Sequence, residues 1–483
     1  MKGTAAWLGL SLAIGLLYGC TVGPKYRVPA SPSAPAFKEP PPSNFKESGE
    51  WKPADPQDAT VRENWWETYG DSLLNDLESQ VNVSNQNIAG AEAQFRSARA
   101  AIRVAKSGLF PTVTIGANST SSQNASSFVN RGGVGGTGTF YQIPLDVTWE
   151  ADLWGRIRRA IENNVDLAQA SGADLETIRL SMHSELALDY FQLRGLDEET
   201  KLFQASIASY EEALQLTVNR YNQGIASGLD VSLAQTQLDT TRGQATDLGV
   251  SRAAFEHAIA VLIGKPPAEL TIAFVDTTLQ PPAIPPGLPS ELLERRPDVA
   301  GAERRAAAAN AQIGVAKAAY YPRLTFSAAA GLESSVLGSL LSWPSKFWSL
   351  GPTFAQILFD AGARHGLTQE AEANYDAAVA VYRQNVLTAF QDVEDNLAAL
   401  RILSEESGQQ DVAIASSQRT LDLSFNQYRG GITTYLTVIT AQNALLANQR
   451  AGVLIQTRRM QASVLLIKAL GGGWNVRALP KVS

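Results

Sequence analysis

Arg220-Tyr221-Asn222-Gln223-Gly224-Ile225-Ala226-Ser227-Gly228-Leu229-Asp230-Val231-Ser232-Leu233-Ala234-Gln235 returns about two hundred residues later as Gln427-Tyr428-Arg429-Gly430-Gly431-Ile432-Thr433-Thr434-Tyr435-Leu436-Thr437-Val438-Ile439-Thr440-Ala441-Gln442. Further upstream, Val104-Ala105-Lys106-Ser107-Gly108-Leu109-Phe110-Pro111 has its counterpart in Val315-Ala316-Lys317-Ala318-Ala319-Tyr320-Tyr321-Pro322. Such repetition implies one architecture assembled from two equivalent parts. Before the first glycine cluster, Phe203, Ile207, Tyr210, Leu214, Thr217 and Tyr221 step by alternating fours and threes, the seam of a coiled coil. Val386, Phe390, Val393, Leu397 and Leu400, then Ile414, Ser417, Leu421, Ser424 and Tyr428, keep the same count in the second copy. No proline falls between Gly155 and Lys265, so nothing breaks the first helix sharply. About seventy residues at ~1.5 Å each would reach about 100 Å, well beyond a compact domain. Gly224 to Gly228 and Gly430-Gly431 supply the positive φ that reverses each helix into a helical hairpin tip.

A second pattern alternates by two. Thr112 to Ala117, Leu145 to Glu150, Arg323 to Ala328 and Phe354 to Phe359 each place apolar residues on one side and mostly polar ones on the other. This is the pattern of strands with lipid outside and a polar lumen inside. Ser-, Gly- and Asn-rich loops join each pair, including Gly132-Gly133-Val134-Gly135-Gly136, a run without the Lys-Ser/Thr of a phosphate loop. Four strands cannot close a barrel, and an open edge in lipid would leave backbone groups unpaired at several kcal/mol each. Several chains must therefore share one barrel; three would give twelve strands.

The amino terminus reads as a signal peptide over 1–19, with an apolar run from Ala5 to Leu17 followed by Tyr18-Gly19-Cys20. Cys20, the sole cysteine of 483 residues, is expected to carry a covalent lipid as the first mature residue. Residues 20–66 are rich in Pro and Ser and form an extended tether. The first repeat covers 67–265, with a β-hairpin at 111–151 and a tip near 221–231. A Pro-rich linker follows at 266–289. The second repeat covers 290–472, with a β-hairpin at 322–360 and a tip near 428–438, and 473–483 form a tail. Net charge of −7 leaves no basic face for a nucleic acid. His183, His257 and His365 lie far apart in sequence as helix-surface or packing residues, and neither a metal site nor a nucleophile-base pair can be assembled. No enzymatic activity and no cofactor beyond the lipid is expected.

Leu288-Pro289-Ser290-Glu291-Leu292-Leu293-Glu294-Arg295-Arg296-Pro297-Asp298-Val299-Ala300-Gly301-Ala302-Glu303-Arg304-Arg305, running on to Tyr321-Pro322, closely resembles the signature of the NodT/OprM branch of outer-membrane factors. Thr21-Val22-Gly23-Pro24-Lys25-Tyr26 and Asn64-Trp65-Trp66 extend the resemblance over the mature chain. These are lipoprotein exit ducts of tripartite efflux systems, more distantly similar to TolC. The resemblance implies a membrane α+β fold: a homotrimer sharing a twelve-strand outer-membrane barrel, a long periplasmic α-helical barrel and an equatorial belt. It implies as partners a periplasmic adaptor, an inner-membrane pump of the proton-driven RND type and outer-membrane lipid. The tips would receive the adaptor, through Tyr221, Gly224, Ser227, Gly228 and Leu229 in the first and Gly430, Gly431, Thr434, Tyr435 and Leu436 in the second.

The same resemblance locates a periplasmic entrance gate. Where TolC-like ducts place two constricting carboxylates, this chain has Thr437 and Thr440, and Thr433 stands at the pairing arginine position. Tyr428 and Asp239 keep the partner tyrosine and carboxylate. A closed entrance held mainly by Tyr428–Asp239 hydrogen bonding and tip packing is expected, with weaker cation selectivity than an aspartate ring gives. The alternative is that Asp230 or Asp239 alone supplies an acidic ring. Small-molecule export is the first functional expectation; the exit duct of a type I-like protein-secretion system is the second.

Overall fold

A computed structural model describes residues 21–32, 36–39, 64–123, 137–275, 280–282, 284, 295–474, 477 and 479. Cys20, the Gly132–Gly136 run and residues 276–279, 283 and 285–289 of the proline-rich linker lie outside the described residues. Helices α1 (Ser72–Ser84) and α2 (Gln86–Ser107) lead into strands β1 (Thr112–Ile115), β2 (Asn118–Gln123) and β3 (Thr137–Ala151). Helices α3 (Arg156–Asn222) and α4 (Gly228–Leu262) complete the first copy. The second contains α5 (Pro297–Ala318), β4 (Arg323–Ser334), β5 (Lys346–Ala355), α6 (Ala363–Arg429) and α7 (Tyr435–Ala469). Corresponding helices match in length: 22 residues for α2 and α5, 67 for α3 and α6, 35 for α4 and α7.

The strands form one antiparallel sheet in the order β1, β3, β4, β5, with β2 continuing the β1 edge along β3. Its cross-strand rows separate by chemistry. Ile115, Leu145, Ala330 and Trp348 make one row and Val113, Val147, Ala328 and Leu350 the next, on one face. Thr112, Thr148, Ser327 and Gly351, and Thr114, Asp146, Ala329 and Ser349, make rows on the other. One face therefore suits lipid and the other a wet lumen. Ten steps from Tyr141 to Ala151, at about 3.3 Å each and a tilt of about 40°, span about 25 Å, the height of a bacterial barrel's apolar band. Stacked pairs Trp149 with Phe326 (5.6 Å) and Trp154 with Tyr321 (4.8 Å) mark its helix-side boundary.

Strand β5, the fourth of the four strands expected from the sequence, corrects that expectation. It covers Lys346–Ala355, and Gln356 to Phe359 leave the sheet. The last pair is Arg323 with Ala355, and Pro322, which has no N–H to give, ends the partner strand there. The apolar run Ile357-Leu358-Phe359 lies beyond the sheet, with Leu358 90% and Phe359 86% exposed on the single chain.

All four helix–strand junctions, α2–β1, β3–α3, α5–β4 and β5–α6, lie at one end of the sheet, which puts the 335–345 connection between β4 and β5 at the opposite end. The upper half of α3 packs against α2 and α5, and its lower half against α4 and α7. Heptad spacing recurs in α4, where Ala234, Leu238, Thr241 and Ile259 are buried on one stripe. Midway along, Trp65, Leu74, Tyr190, Phe191, Ile259, Val393, Leu397 and Val464 contribute to the main core, an equatorial belt.

Polar side chains tie this belt together. Arg296 donates from Nε and Nη2 to Asp298 (3.0 and 2.7 Å), from Nη1 to Asp392 (2.9 Å), and to the Ala469 carbonyl (3.3 Å). One side chain thus joins the start of α5, the middle of α6 and the end of α7. Buried Asp197 accepts from Arg194 (2.9 Å) and Arg252 (2.7 Å), which also donate to the Ala273 and Ile272 carbonyls and so pin the start of the linker to the helices. The amino-terminal segment is equally fixed. Arg159 donates to the Val22 and Pro24 carbonyls (3.2 and 3.1 Å), and Tyr26 donates to Glu303 (2.5 Å). Gly23, at φ +105°, lies so close to Gly314 that a Cβ would stand 2.5 Å from its Cα, so the motif needs glycine there.

His183 is buried against Trp66 (4.4 Å, stacked), with Nδ1 2.6 Å from Glu78 and Nε2 3.0 Å from Asn82 Oδ1. Burial lowers the imidazole to about 4, and burial raises the Glu78 carboxyl well above its usual range. The pair is therefore neutral: Glu78 donates to Nδ1, and Nε2–H donates to Asn82. Between the unfolded-state values of Glu and His, about pH 4.3 to 6.5, native and unfolded states bind equal numbers of protons at this pair and its contribution is flat. Above the unfolded His value of about 6.5, for as long as native Glu78 holds its proton the native state binds the extra one, so stability falls with rising pH. Melting from pH 6.5 to 8.5 should show this decline in the wild type and a shallower one in Glu78→Gln.

Candidate functional site

The two hairpin tips lie about a hundred ångströms from the sheet, at the ends of the 67-residue helices. Each closes in the same way. Gly224 (φ +74°) and Gly431 (φ +73°) adopt the left-handed conformation, and Ile225 and Ile432 donate to the Arg220 and Gln427 carbonyls, both at 2.9 Å. This double cap satisfies helix-end carbonyls and turns the chain. It leaves Ile225 (60% exposed), Leu229, Ile432 (79%) and Leu436 outward, two aliphatic side chains per tip. Tyr221 is exposed beside them, and Gly228 lies close to its ring.

The return helices start differently. Ser227 caps α4 through a reciprocal box: its hydroxyl accepts from the Asp230 N–H (3.2 Å), and Asp230 accepts from the Ser227 N–H (3.0 Å). Thr434 caps α7 without a side-chain bond. Asp230 is thereby engaged in its own tip. Gly430 is the last-turn cap of α6.

Between the tips sits a small core of Ala213, Ala234, Tyr428, Tyr435, Val438 and Ile439. Burial raises the Tyr435 phenol above its ordinary value, with the neighbouring Tyr428 adding to it. Tyr428 packs its ring against Tyr435 with centroids 5.2 Å apart and planes tilted by 60°, and donates to Thr217 Oγ1 at 3.3 Å. The Arg220 guanidinium lies 4.8 Å from the Tyr428 ring and donates to the Arg429 carbonyl at 2.8 Å, capping the end of α6 from α3. These contacts fasten the two hairpins of one chain together.

The structure does not bring Tyr428 and Asp239 together within the chain, which corrects the expected pairing. Tyr428 points into the buried seam, whereas Asp239 lies on the exposed flank of α4, accepting from Gln235 (2.9 Å) and lying 3.6 Å from Arg242. Thr437 and Thr440 are exposed on α7. Thr433 and Thr437 share a hydroxyl hydrogen bond of 2.8 Å, and Thr440 donates back to the Leu436 carbonyl. That surface offers dipoles rather than carboxylates. Sequence reasoning missed Thr217 and Arg220 as the fasteners. It also missed Ile225 and Ile432, although the glycine–isoleucine pair stands in both copies. Among the described residues no group of three or more metal-ligating side chains converges.

Comparison with known proteins agrees with this geometry. The family model described as outer membrane efflux protein matches residues 77–265 and 288–472. The probable efflux pump outer membrane protein SepC of Pseudomonas putida (strain F1) is 30% identical over 477 residues, covering 98% of each chain. The pyoverdine export outer membrane protein OpmQ of Pseudomonas aeruginosa is 31% identical over 426 residues, covering 86% of this chain and 89% of its own. Among solved structures, the outer-membrane channel OprN matches with a TM-score of 0.84 and 31% identity, covering 94% of this chain and 100% of its own.

Proposed function

Because this chain belongs to the outer membrane efflux protein family, and so is the outer-membrane channel of an efflux pump, we propose that it acts as a passive trimeric duct whose tips meet a periplasmic adaptor. The observation that carries the trimer is the open sheet. Strand direction alternates across β1, β3, β4 and β5, so β5 of one copy meets β1 of the next antiparallel, and closure removes every edge from lipid. Three copies reach the twelve strands of the family's barrel. The duct performs no chemistry; an inner-membrane pump of the proton-driven RND type supplies the energy. Small molecules are the cargo, in keeping with the pyoverdine and toluene named for relatives.

Cys20 carries the lipid in this account. Thr21, its neighbour, lies against Gly155 at the β3–α3 junction, and Val22 donates to the Trp154 carbonyl (3.0 Å), so an acylated Cys20 would sit level with the barrel rim. The units 20–66, 67–265, 266–289 and 290–472 then serve as tether, first repeat, linker and second repeat. The entrance is held by Tyr428, Thr217 and Arg220 within each copy. Asp239 remains available to a neighbouring copy, and Thr433, Thr437 and Thr440 give the throat hydroxyls.

Bilayer recordings test this. Purified protein should form channels with weak cation preference and little block by millimolar divalent cations, because no carboxylate ring lines the second tip. Strong cation selectivity with tight divalent block would overturn the hydroxyl-lined entrance, and failure to conduct under any condition would overturn the duct.

A further inference from the structure

The loop between β4 and β5 has its polarity turned inside out. Ser334 and Ser339 share a hydroxyl bond (2.8 Å), and Ser342 and Ser345 both donate to the Ser339 carbonyl (2.6 and 2.7 Å). These bonds hold two short turns, Leu337–Ser339 and Trp343–Ser345. The serines are spent inside the loop, while Leu341 (80% exposed) and Trp343 (79%) point outward. A loop built for water would carry the opposite arrangement, because an exposed apolar cluster marks an interaction surface.

The apolar cluster continues an interface already described. Lys346 pairs with Leu332 and so belongs to the apolar face of the sheet, one row beyond Ile115, Leu145, Ala330 and Trp348. Trp348 is 80% exposed on that face, and the Lys346 ammonium stands over the Trp343 ring. This end of the sheet is remote from the helices and therefore faces the outer leaflet. A lysine at the edge of an apolar band, flanked by two indoles, places its methylenes against acyl chains and its charge at headgroup level.

We infer that Leu341, Trp343, Lys346 and Trp348 form a docking site for lipid headgroups of the outer leaflet whose phosphate carries an uncompensated negative charge, with the β4–β5 loop folded down into the lipid rather than standing in water. Leu341 and Trp343 enter the interface, and Lys346 pairs with the phosphate. The inference rests on the outer-membrane location and not on any pump partner.

Full-length protein carrying Cys20→Ser and Leu341→Cys, labelled with bimane and reconstituted in phosphatidylglycerol vesicles, provides the test. Bimane should be quenched at least twofold more by lipid-borne nitroxide than by a water-soluble quencher. Adding Lys346→Glu should reduce the lipid quenching in phosphatidylglycerol but not in phosphatidylcholine vesicles. Dominant aqueous quenching would overturn the docking site, and protection from both quenchers would assign the loop to a neighbouring copy instead. Equal effects of Lys346→Glu in both lipids would remove the headgroup from the account. Heat-resistant mobility of the folded barrel verifies that each variant has inserted.

Discussion

Replacing Arg296 with alanine is expected to cost about 3 kcal/mol of stability, the low end for removing one partner of a buried ionic cluster. The side chain is nearly buried, 10% exposed, and its partner carboxylates are 32% exposed at Asp298 and 43% at Asp392. Water can therefore re-solvate part of what the arginine leaves, and the full buried-pair penalty does not apply. The lost bonds join three helices from separate parts of the chain, so the loss should appear as a lower unfolding midpoint and less assembled protein in the outer membrane. Arg296→Lys should rescue little, because an ammonium cannot make the two-pronged contact with Asp298 while also reaching Asp392. Asp392→Asn should cost about 1 kcal/mol, the net value of an ordinary hydrogen bond. Equal urea midpoints for wild type and Arg296→Ala would show that the cluster is replaceable.

The largest effect on function is expected from Ile225→Glu combined with Ile432→Glu. Both side chains project from glycine caps into solvent and touch none of the inter-hairpin core. The fold should be preserved, and the unfolding midpoint should shift by less than about 0.5 kcal/mol equivalent, as for ordinary surface positions. Six carboxylates around a trimer's tips would oppose an apolar partner surface, since desolvating an unpaired charge costs several kcal/mol. Cells carrying the double variant should accumulate an efflux dye to the level of a deletion strain, with normal amounts of assembled protein. Wild-type dye levels would remove the isoleucines from the coupling surface.

Much of this architecture is legible in the sequence because it depends on local periodicity. Heptads, glycine turns and alternating strands need no distant partner to be recognised. What depends on distant partners was not legible. Tyr221 and Tyr428 occupy equivalent places in the repeat, yet one is 51% exposed and the other 3%, because only Tyr428 has Thr217, Arg220 and Tyr435 around it. Asp239 carries the expected residue type at the expected place, but helix phase turns it to the flank, next to buried Leu238. The fourth strand was misjudged for a related reason: Ile357-Leu358-Phe359 resembles a strand, but Pro322 fixes where its partner ends. The Arg295-Arg296-Pro297-Asp298 signature is conspicuous as a string, whereas the contact with Asp392 that explains Arg296 spans 96 residues. His183 reads as a packing residue and packs as one, but its neutral pairing with Glu78 requires two helices to be placed side by side.

The most direct test of the efflux duct is a photo-crosslinker placed singly at Ile225 and at Ile432 in intact cells, followed by identification of the captured protein. Capture of a periplasmic adaptor from both positions, co-purifying with a proton-driven inner-membrane pump, is the predicted result. Capture of an adaptor belonging to a protein-secretion ATPase, or of no envelope protein at either tip, would contradict it.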